Sequence, residues 1–415
     1  MKNQTLLISL YLLLLFYLFP VLNPKLFNVL IFIKLKYIMI VISVIIIFFS
    51  KKINRTSFKQ NDMFIFLIFS SLLFSVIFSA DFVQSGLRYI FTLIILLLLY
   101  SYVIILGSQN VFNLIIKFSI FLSVIIVVSS DIVMYLQLPD IYIQGNFQGI
   151  IYNSNYLGLL VSLFLIPIIL IKLNEINTNK IFYYPLLFNL LFILYETRSR
   201  ASMLSLLIIV IVLLFIKMKK MKNEKYFLRY SLISLSFILL IVTFRTEIYS
   251  SIENTIVKYK FMKNYGDATS TRSDLWNSRI IGIEEKAFIG WGFGINPFQY
   301  SNKIKHQVEK NINVNENNTE KGNSFLAILE ESGLIIGIFQ IILILVISLS
   351  FWIKARKNNI SGIIFPLIVF ASLFHVNFES WLMYFGNFAT ILLWLIIISL
   401  IHLEEEFISK KGNRE

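Results

Sequence analysis

Arg198 and Arg200 stand in YETRSRAS, 195–202, a short connection between the apolar runs FYYPLLFNLLFIL and MLSLLIIVIVLLFI. Arg88 lies near one end of another apolar run. Arg272 and Arg279 lie in a long polar connection, and Trp276, Trp291, Phe293, Phe298 and Trp381 are interleaved with these arginines. A guanidinium presents a planar fork of donors that suits phosphate oxygens, and aromatic faces stack on sugar rings or line a lipid path. The chemistry suggested is recognition of a phosphorylated, glycosylated amphiphile. A plainer reading has the arginines snorkelling to lipid headgroups and the tryptophans forming an interfacial belt. For the TRSR pair, the side of the membrane decides between the two.

Acids are the second group. Glu330 and Glu331 interrupt the otherwise apolar GNSFLAILEESGLIIG, 322–337. A straight helix over 323–353 would be on the order of 45 Å long, more than the hydrocarbon layer, so its first turns lie at the boundary or in a cavity, with Gly333 marking a break. An acid at that depth can pair with an arginine, orient an acceptor hydroxyl or act as a base. Glu331 is the candidate for the last two roles. Glu330 reads more readily as an acid satisfied by a neighbouring cation. His375 and Glu379, in FHVNFESW, are candidates of the same kind. With no cysteine there is no thiolate chemistry, and P-loop, HExxH and DxD motifs are absent, so neither metal nor cofactor is expected. GWGFG, 290–294, lacks the βαβ context of a nucleotide fingerprint and reads as a turn beside the substrate.

The elements that position these residues are membrane spans. Of 415 residues 57% are hydrophobic, and the mean hydropathy is +0.78. The expected fold is an all-α polytopic helical bundle of about twelve spans, near 6–22, 26–50, 63–80, 87–106, 111–136, 156–172, 181–195, 201–217, 230–244, 324–353, 361–379 and 382–402. The first run has no small-residue cleavage site after it and reads as a retained span. Lys51, Lys52, Arg55 and Lys59, then Lys172 and Lys180, then Lys217 to Arg229, then Lys354, Arg356 and Lys357 fall on one side, which the positive-inside rule makes cytoplasmic. That accounts for the net charge of +14 without nucleic acid. TRSR then lies outside, where positive charge opposes the orientation, so a role other than topology is expected of it. Lys34 and Lys36 interrupt the second run, and either snorkel outward or mark an irregular helix start.

One large outer loop, 245–323, is expected. Within it 274–288 reads as a helix at the membrane surface, with Thr271 or Ser273 as N-cap, and the polar 302–321 as mobile unless a ligand orders it. The chain divides into N-terminal spans, 1–144, a core with the outer loop, 145–380, and a last span with a cytoplasmic tail, 381–415.

Four stretches in order resemble the O-antigen ligase and polymerase superfamily. They are GNFQGIIYNSNYLG at 145–158, TRSRAS at 197–202, Arg272 and Trp276 with GWGFGINPF at 290–298, and the NSFLAILEESGLIIG stretch at 323–337. Gly322 stands where that family commonly has a histidine before Asn-Ser. The resemblance implies a GT-C-like, Wzy-type polysaccharide polymerase in the bacterial plasma (inner) membrane, with its site facing the periplasm or cell exterior. Its substrate would be an undecaprenyl-pyrophosphate-linked glycan, its other partners membrane lipid and a chain-length regulator. With that substrate Arg200, Arg272 and Glu331 would be catalytic, and Arg198, Trp276, Arg279, Trp291 and Asn323 would bind it, together with Arg88, His375 and Glu379, which lie outside the four stretches and are read from residue type and place. A ligase passing finished glycan to lipid A core, wall polymer or protein is the near alternative. A flippase for the same lipid-linked sugars is the alternative of another class.

Overall fold

The computed structural model describes residues 2–22, 29–49, 60–136, 142–143, 146–175, 178–220, 270–297, 300–301, 322–355 and 360–412. The helices are α1 (Lys2–Leu18), α2 (Val29–Phe49), α3 (Gln60–Ile77), α4 (Phe82–Leu106), α5 (Ser108–Tyr135), α6 (Ser154–Leu159), α7 (Ile166–Asn174), α8 (Lys180–Thr197), α9 (Arg200–Lys220), α10 (Ser270–Glu285), α11 (Ser324–Ala355), α12 (Ile360–His375) and α13 (Phe388–Gly412). A π-helical segment, Leu160–Leu165, joins α6 to α7, and the described strands are a short hairpin of β1 (Tyr142–Ile143) and β2 (Asn146–Phe147). Every expected span coincides with a helix except 230–244, which lies outside the described residues. Five of the described runs are long and apolar enough to cross a membrane. Apart from that hairpin the described elements are helical, consistent with a helical membrane protein.

Two runs form the centre of the bundle: every residue from 388 to 402 of α13 is buried, and so is 78% of the apolar window of Ser154–Asn174, against 39% for Ser324–Trp352. Pro167 has no N–H to bond the carbonyl four residues back, and the π segment just before it accommodates that missing bond. α13 packs on α4 and α5, α11 on α3, α10 and α12, and α9 on α12. Val41, Ile45, Phe48 and their like on α2 stay exposed, as a lipid-facing surface requires.

Three expectations change. α10 is already helical at Ser270, so Thr271 and Ser273 lie within the helix and not ahead of it. Lys36 neither snorkels nor breaks its helix: α2 is continuous there, and the side chain is 6% exposed. The last span starts at Phe388, not near 382. The reason lies in 376–387, whose backbone is held by side chains: the Ser324 hydroxyl accepts from Trp381 N (3.1 Å) and Leu382 N (3.3 Å), the Thr390 hydroxyl donates to the Trp381 carbonyl, and Trp394 Nε1 donates to the Leu382 carbonyl (3.0 Å). Backbone groups satisfied in this way have no need of a helix. The 302–321 segment lies outside the described residues.

Candidate functional site

A cavity of about 600 Å³ opens at one end of the bundle. Its polar lining includes Lys36, Arg88, Thr92, Ser324, Glu331 and Ser380, and its apolar lining includes Phe91, Phe293, Ile328 and Phe385. Lys36, Arg88 and Glu331 each stand about two turns inside the start of their helices, α2, α4 and α11, which is roughly 10 Å along each axis. Two cations and one carboxylate therefore share one space. Glu331 is half-buried and Arg88 exposed.

Crossed backbone builds one wall. Trp291 N donates to the Glu330 carbonyl (2.9 Å), Gly292 N to the Glu331 carbonyl (3.0 Å), and Leu334 N to the Ala287 carbonyl (2.7 Å). So GWGFG and EESG clasp each other. The crossing is close: a Cβ on Gly290 would fall on the Glu331 carbonyl oxygen, and one on Gly333 on the Phe288 carbonyl oxygen. Gly333 has φ 77° and ψ 167° and breaks α11 just after the two acids, as its place in the sequence suggests. Gly294 gives Arg88 room, because a Cβ there would come 2.6 Å from Arg88 Cδ.

The α3–α4 connection ties the clasp down. Ser75 Oγ donates to the Glu331 carbonyl (2.6 Å) and Ala80 N to the Trp291 carbonyl (2.9 Å). Asp81 caps α4, accepting from Gln84 N (2.9 Å), and also accepts from the Tyr300 hydroxyl (3.1 Å). The Gln84 bond is the main reason its carboxyl titrates below its ordinary 3.8, with Tyr300 and the Arg88 charge adding to it. A depressed value means that the contribution to stability is full above the ordinary range and is lost as pH falls through the folded-state value. Thermal melts should therefore show extra loss on acidification below about pH 4, and Asp81→Asn should remove that part of the pH dependence. An unchanged profile in Asp81→Asn would show that the cap carries none of it.

Behind the clasp lies a buried ion pair. Arg279 Nη1 meets Glu330 Oε2 at 2.5 Å, the two side chains being 0% and 1% exposed. Gly282, one turn on, makes space, since a Cβ there would come 2.6 Å from Glu330 Oε1. Trp291 Nε1 donates to the Gly282 carbonyl (2.8 Å), and Lys286 Nζ lies 4.4 Å from the centre of the Trp291 ring. Arg279 and Trp291, expected at the substrate, thus hold α10 against α11. Trp276, on the same helix, is half-buried, and its indole N–H has no hydrogen-bond partner among the described residues.

The TRSR turn reaches the cavity by hydrogen bonds. Arg198 adopts the left-handed conformation (φ 53°) that ends α8, and Arg200 opens α9; both are exposed. Between them Ser199 is buried and bonds Ser202 (2.8 Å). Ser202 Oγ lies 3.2 Å from His375 Nε2, and Trp381 Nε1 lies 3.2 Å from His375 Nδ1. An indole N–H only donates, so Nδ1 accepts and the neutral ring carries its proton on Nε2, donating to Ser202. Trp381 N in turn bonds Ser324 on the cavity wall. His375 is 0% exposed, with both nitrogens engaged inside the protein. Glu379 is buried at the same loop, where its carbonyl accepts from Ser324 Oγ (2.9 Å). Asn323 caps α11, accepting from Phe325 N (2.8 Å) and Leu326 N (3.1 Å).

The first of the four stretches joins here too. Asn153 caps α6, and a Cβ on Gly158 would come 2.7 Å from Ser199 Cβ, so α6 packs directly on the TRSR turn. The four stretches read from the sequence thus form one connected assembly. Arg272 lies in the first turn of α10, but its side chain, like Phe298, lies outside the described residues.

Sequence reading missed Lys36 as a cavity residue, because a lysine inside an apolar run looks the same whether it faces lipid, water or a pocket. Tyr37 beside it was the available signal, since an aromatic neighbour can hold an ammonium. The Ser202–His375–Trp381 path was also missed, as nothing local joins residues so far apart in sequence.

No curated protein gives a significant match to this chain. A family model described as O-antigen ligase matches residues 185–341, a region that runs from within α8, through the TRSR turn and α10, into α11. Residues 185–341 are therefore similar to the O-antigen ligase family, which covers O-antigen ligases and polymerases, and the rest of the chain lies outside the match.

Proposed function

We propose that the protein is a membrane glycosyltransferase of the polymerase kind. It would join undecaprenyl-pyrophosphate-linked oligosaccharide repeat units into a surface polysaccharide, O-antigen or capsule, by inverting transfer on the outer face of the bacterial plasma membrane. The observation that carries this reading is the cavity in which Lys36 and Arg88 share a space with Glu331, walled by the family region's own EESG stretch.

In the reaction an acceptor sugar oxygen attacks the anomeric carbon of the donor glycan, and the C–O bond to pyrophosphate breaks from the opposite face. The hydroxyl proton passes to a carboxylate, and Glu331 is the group in this cavity able to take it. Negative charge grows on the leaving pyrophosphate, and cations fixed beforehand lower that barrier without reorganising. Arg88 is one such cation at the cavity mouth. Arg200 and Arg272 are proposed for the same charge, with Arg198 in support and Trp276 along the glycan or lipid path. Arg279, Trp291, Asn323, His375 and Glu379 act through position: they hold α10, the clasp, the start of α11 and the loop before α13 in register.

A ligase differs only in its acceptor, and the description of the matching family favours keeping it as the second reading. Gly322, in place of a histidine, favours polymerisation.

The test is purified protein in liposomes with a lipid-linked repeat unit. A ladder of glycan bands is expected. A single band with label moved across the vesicle would overturn the enzyme reading in favour of a flippase, and transfer of one block to a foreign acceptor would favour the ligase. Arg200→Ala should slow elongation by roughly 10²–10³ with expression unchanged. Arg200→Lys should restore only part, because the bidentate fork is lost. Normal elongation by Arg200→Ala membranes would remove Arg200 from the chemistry.

A further inference from the structure

Lys36 is 6% exposed on α2, which the sequence reads as a span, yet no carboxylate pairs with it among the described residues. Its Nζ sits 5.2 Å from the centre of the Tyr17 ring and 5.1 Å from that of Tyr37. Two aromatic faces steady an ammonium without supplying oxygen acceptors, so among the described residues its three donors have no hydrogen-bond partner, at the wall of a confined space. That space is the cavity shared with Arg88 and Glu331, and among its described lining residues two cations face one carboxylate, with Asp81 near Arg88 at the start of α4. A buried charge in a membrane bundle is costly unless it meets an opposite charge, and such residues mark ligand or ion paths.

Position narrows the ligand. The anion must be about 10 Å in from the helix start, so it arrives on a molecule that can enter between helices at the bundle's rim. The apolar part of the lining, Leu87, Phe91, Phe293 and Met383 among others, suits a hydrocarbon chain next to the charged end. A lipid whose headgroup is a phosphate or pyrophosphate has this form.

We propose that Lys36 binds the phosphoryl oxygens of a polyprenyl pyrophosphate, forming with Arg88 an anion subsite supplied by α2 and α4, outside the 185–341 family region. The identity of this lipid as the glycan donor rests on the function proposed above; the subsite itself does not. The division of labour follows: the N-terminal helices hold the leaving group, and α11 presents the carboxylate to the acceptor.

The test uses full-length protein in nanodiscs of phosphatidylcholine with farnesyl pyrophosphate as probe. Wild type should bind it, with farnesol as a non-binding control. Lys36→Met, which keeps the stem and removes the charge, should weaken binding about ten- to a hundredfold, the effect of losing a charged hydrogen bond. Lys36→Arg should keep most of the affinity. The melting temperature of Lys36→Met should stay level or rise, because removing a buried unpaired charge relieves the fold; a purely structural lysine would lower it. Unchanged binding by a folded Lys36→Met, or no binding by wild type, would overturn the subsite. Equal competition by phosphatidylglycerol would assign the anion to a bilayer phosphate and overturn the pyrophosphate assignment. Lys36-dependent binding in a protein that makes no glycan ladder would leave the subsite standing and sink the polymerase reading alone.

Discussion

Arg279→Ala should cost about 3–5 kcal/mol of stability, among the largest losses any single substitution in this chain produces. The reason is what it leaves behind. Glu330 is 1% exposed and meets Arg279 at 2.5 Å, so removing the guanidinium takes the paired cation from a carboxylate that is almost sealed from water. Arg279→Lys should recover part of the loss, since an ammonium supplies the charge but not the planar fork. Replacing both partners, Arg279→Met with Glu330→Met, should recover more than either single change, because an apolar pair of similar volume carries no desolvation penalty. Unfolding of the purified protein in detergent, followed by heat or by denaturant titration, measures all four. If the double variant is as unstable as the sum of the two singles, the pair is not coupled and the argument fails. Activity should fall with stability here, because the Glu330 backbone carbonyl also holds Trp291 N and so fixes the clasp that borders Glu331.

Much of this arrangement was legible before any coordinates. Apolar runs of spanning length fix where helices lie, since hydrocarbon leaves the backbone no other partner. Gly333 was readable as a break, and Glu330 as an acid satisfied by a nearby arginine, because both inferences depend on local chemistry: a glycine after two acids in an over-long helix, and a carboxylate at apolar depth. The resemblance of four stretches was also legible, though not their contacts. What was not legible is orientation. Arg279 and Arg88 look equivalent in sequence, yet one is sealed against Glu330 and the other lines the cavity. Likewise nothing in the sequence brings Glu331 and Lys36 together, since their helices line one cavity only once the bundle has packed. The start of α10 was misjudged for a plainer reason, because Ser and Thr cap helices well but are tolerated within a first turn. The type of His375 and its place near the outer end of a span suggest a contact with substrate. Its partners, Ser202 and Trp381, make it an internal strut instead.

Gly333→Ala should be comparably severe through a different cause. At φ 77° and ψ 167° a side chain is strained, and the added Cβ would fall on the Phe288 carbonyl oxygen and 2.9 Å from Ile289 N. Neither neighbour is the end of a flexible side chain; both are backbone, so the crossing itself must open. Opening it stretches the Leu334–Ala287, Gly292–Glu331 and Trp291–Glu330 bonds together. Strain plus weakened bonds amounts to roughly 3–5 kcal/mol. Gly86→Ala is the matched control, because it lies within α4 and its nearest foreign atom, Val76 Cγ1, is 3.9 Å away; it should melt at or slightly above the wild-type temperature. The two variants differ by the same methyl group, so the comparison isolates the crossing. In Gly333→Ala the GWGFG bend should also become sensitive to protease, and elongation should be lost even at temperatures where the bundle stays folded, because Glu331 takes its place in the cavity from the turn that Gly333 ends. A Gly333→Ala protein that melts like wild type and elongates normally would mean that the clasp neither stabilises the chain nor positions its acid.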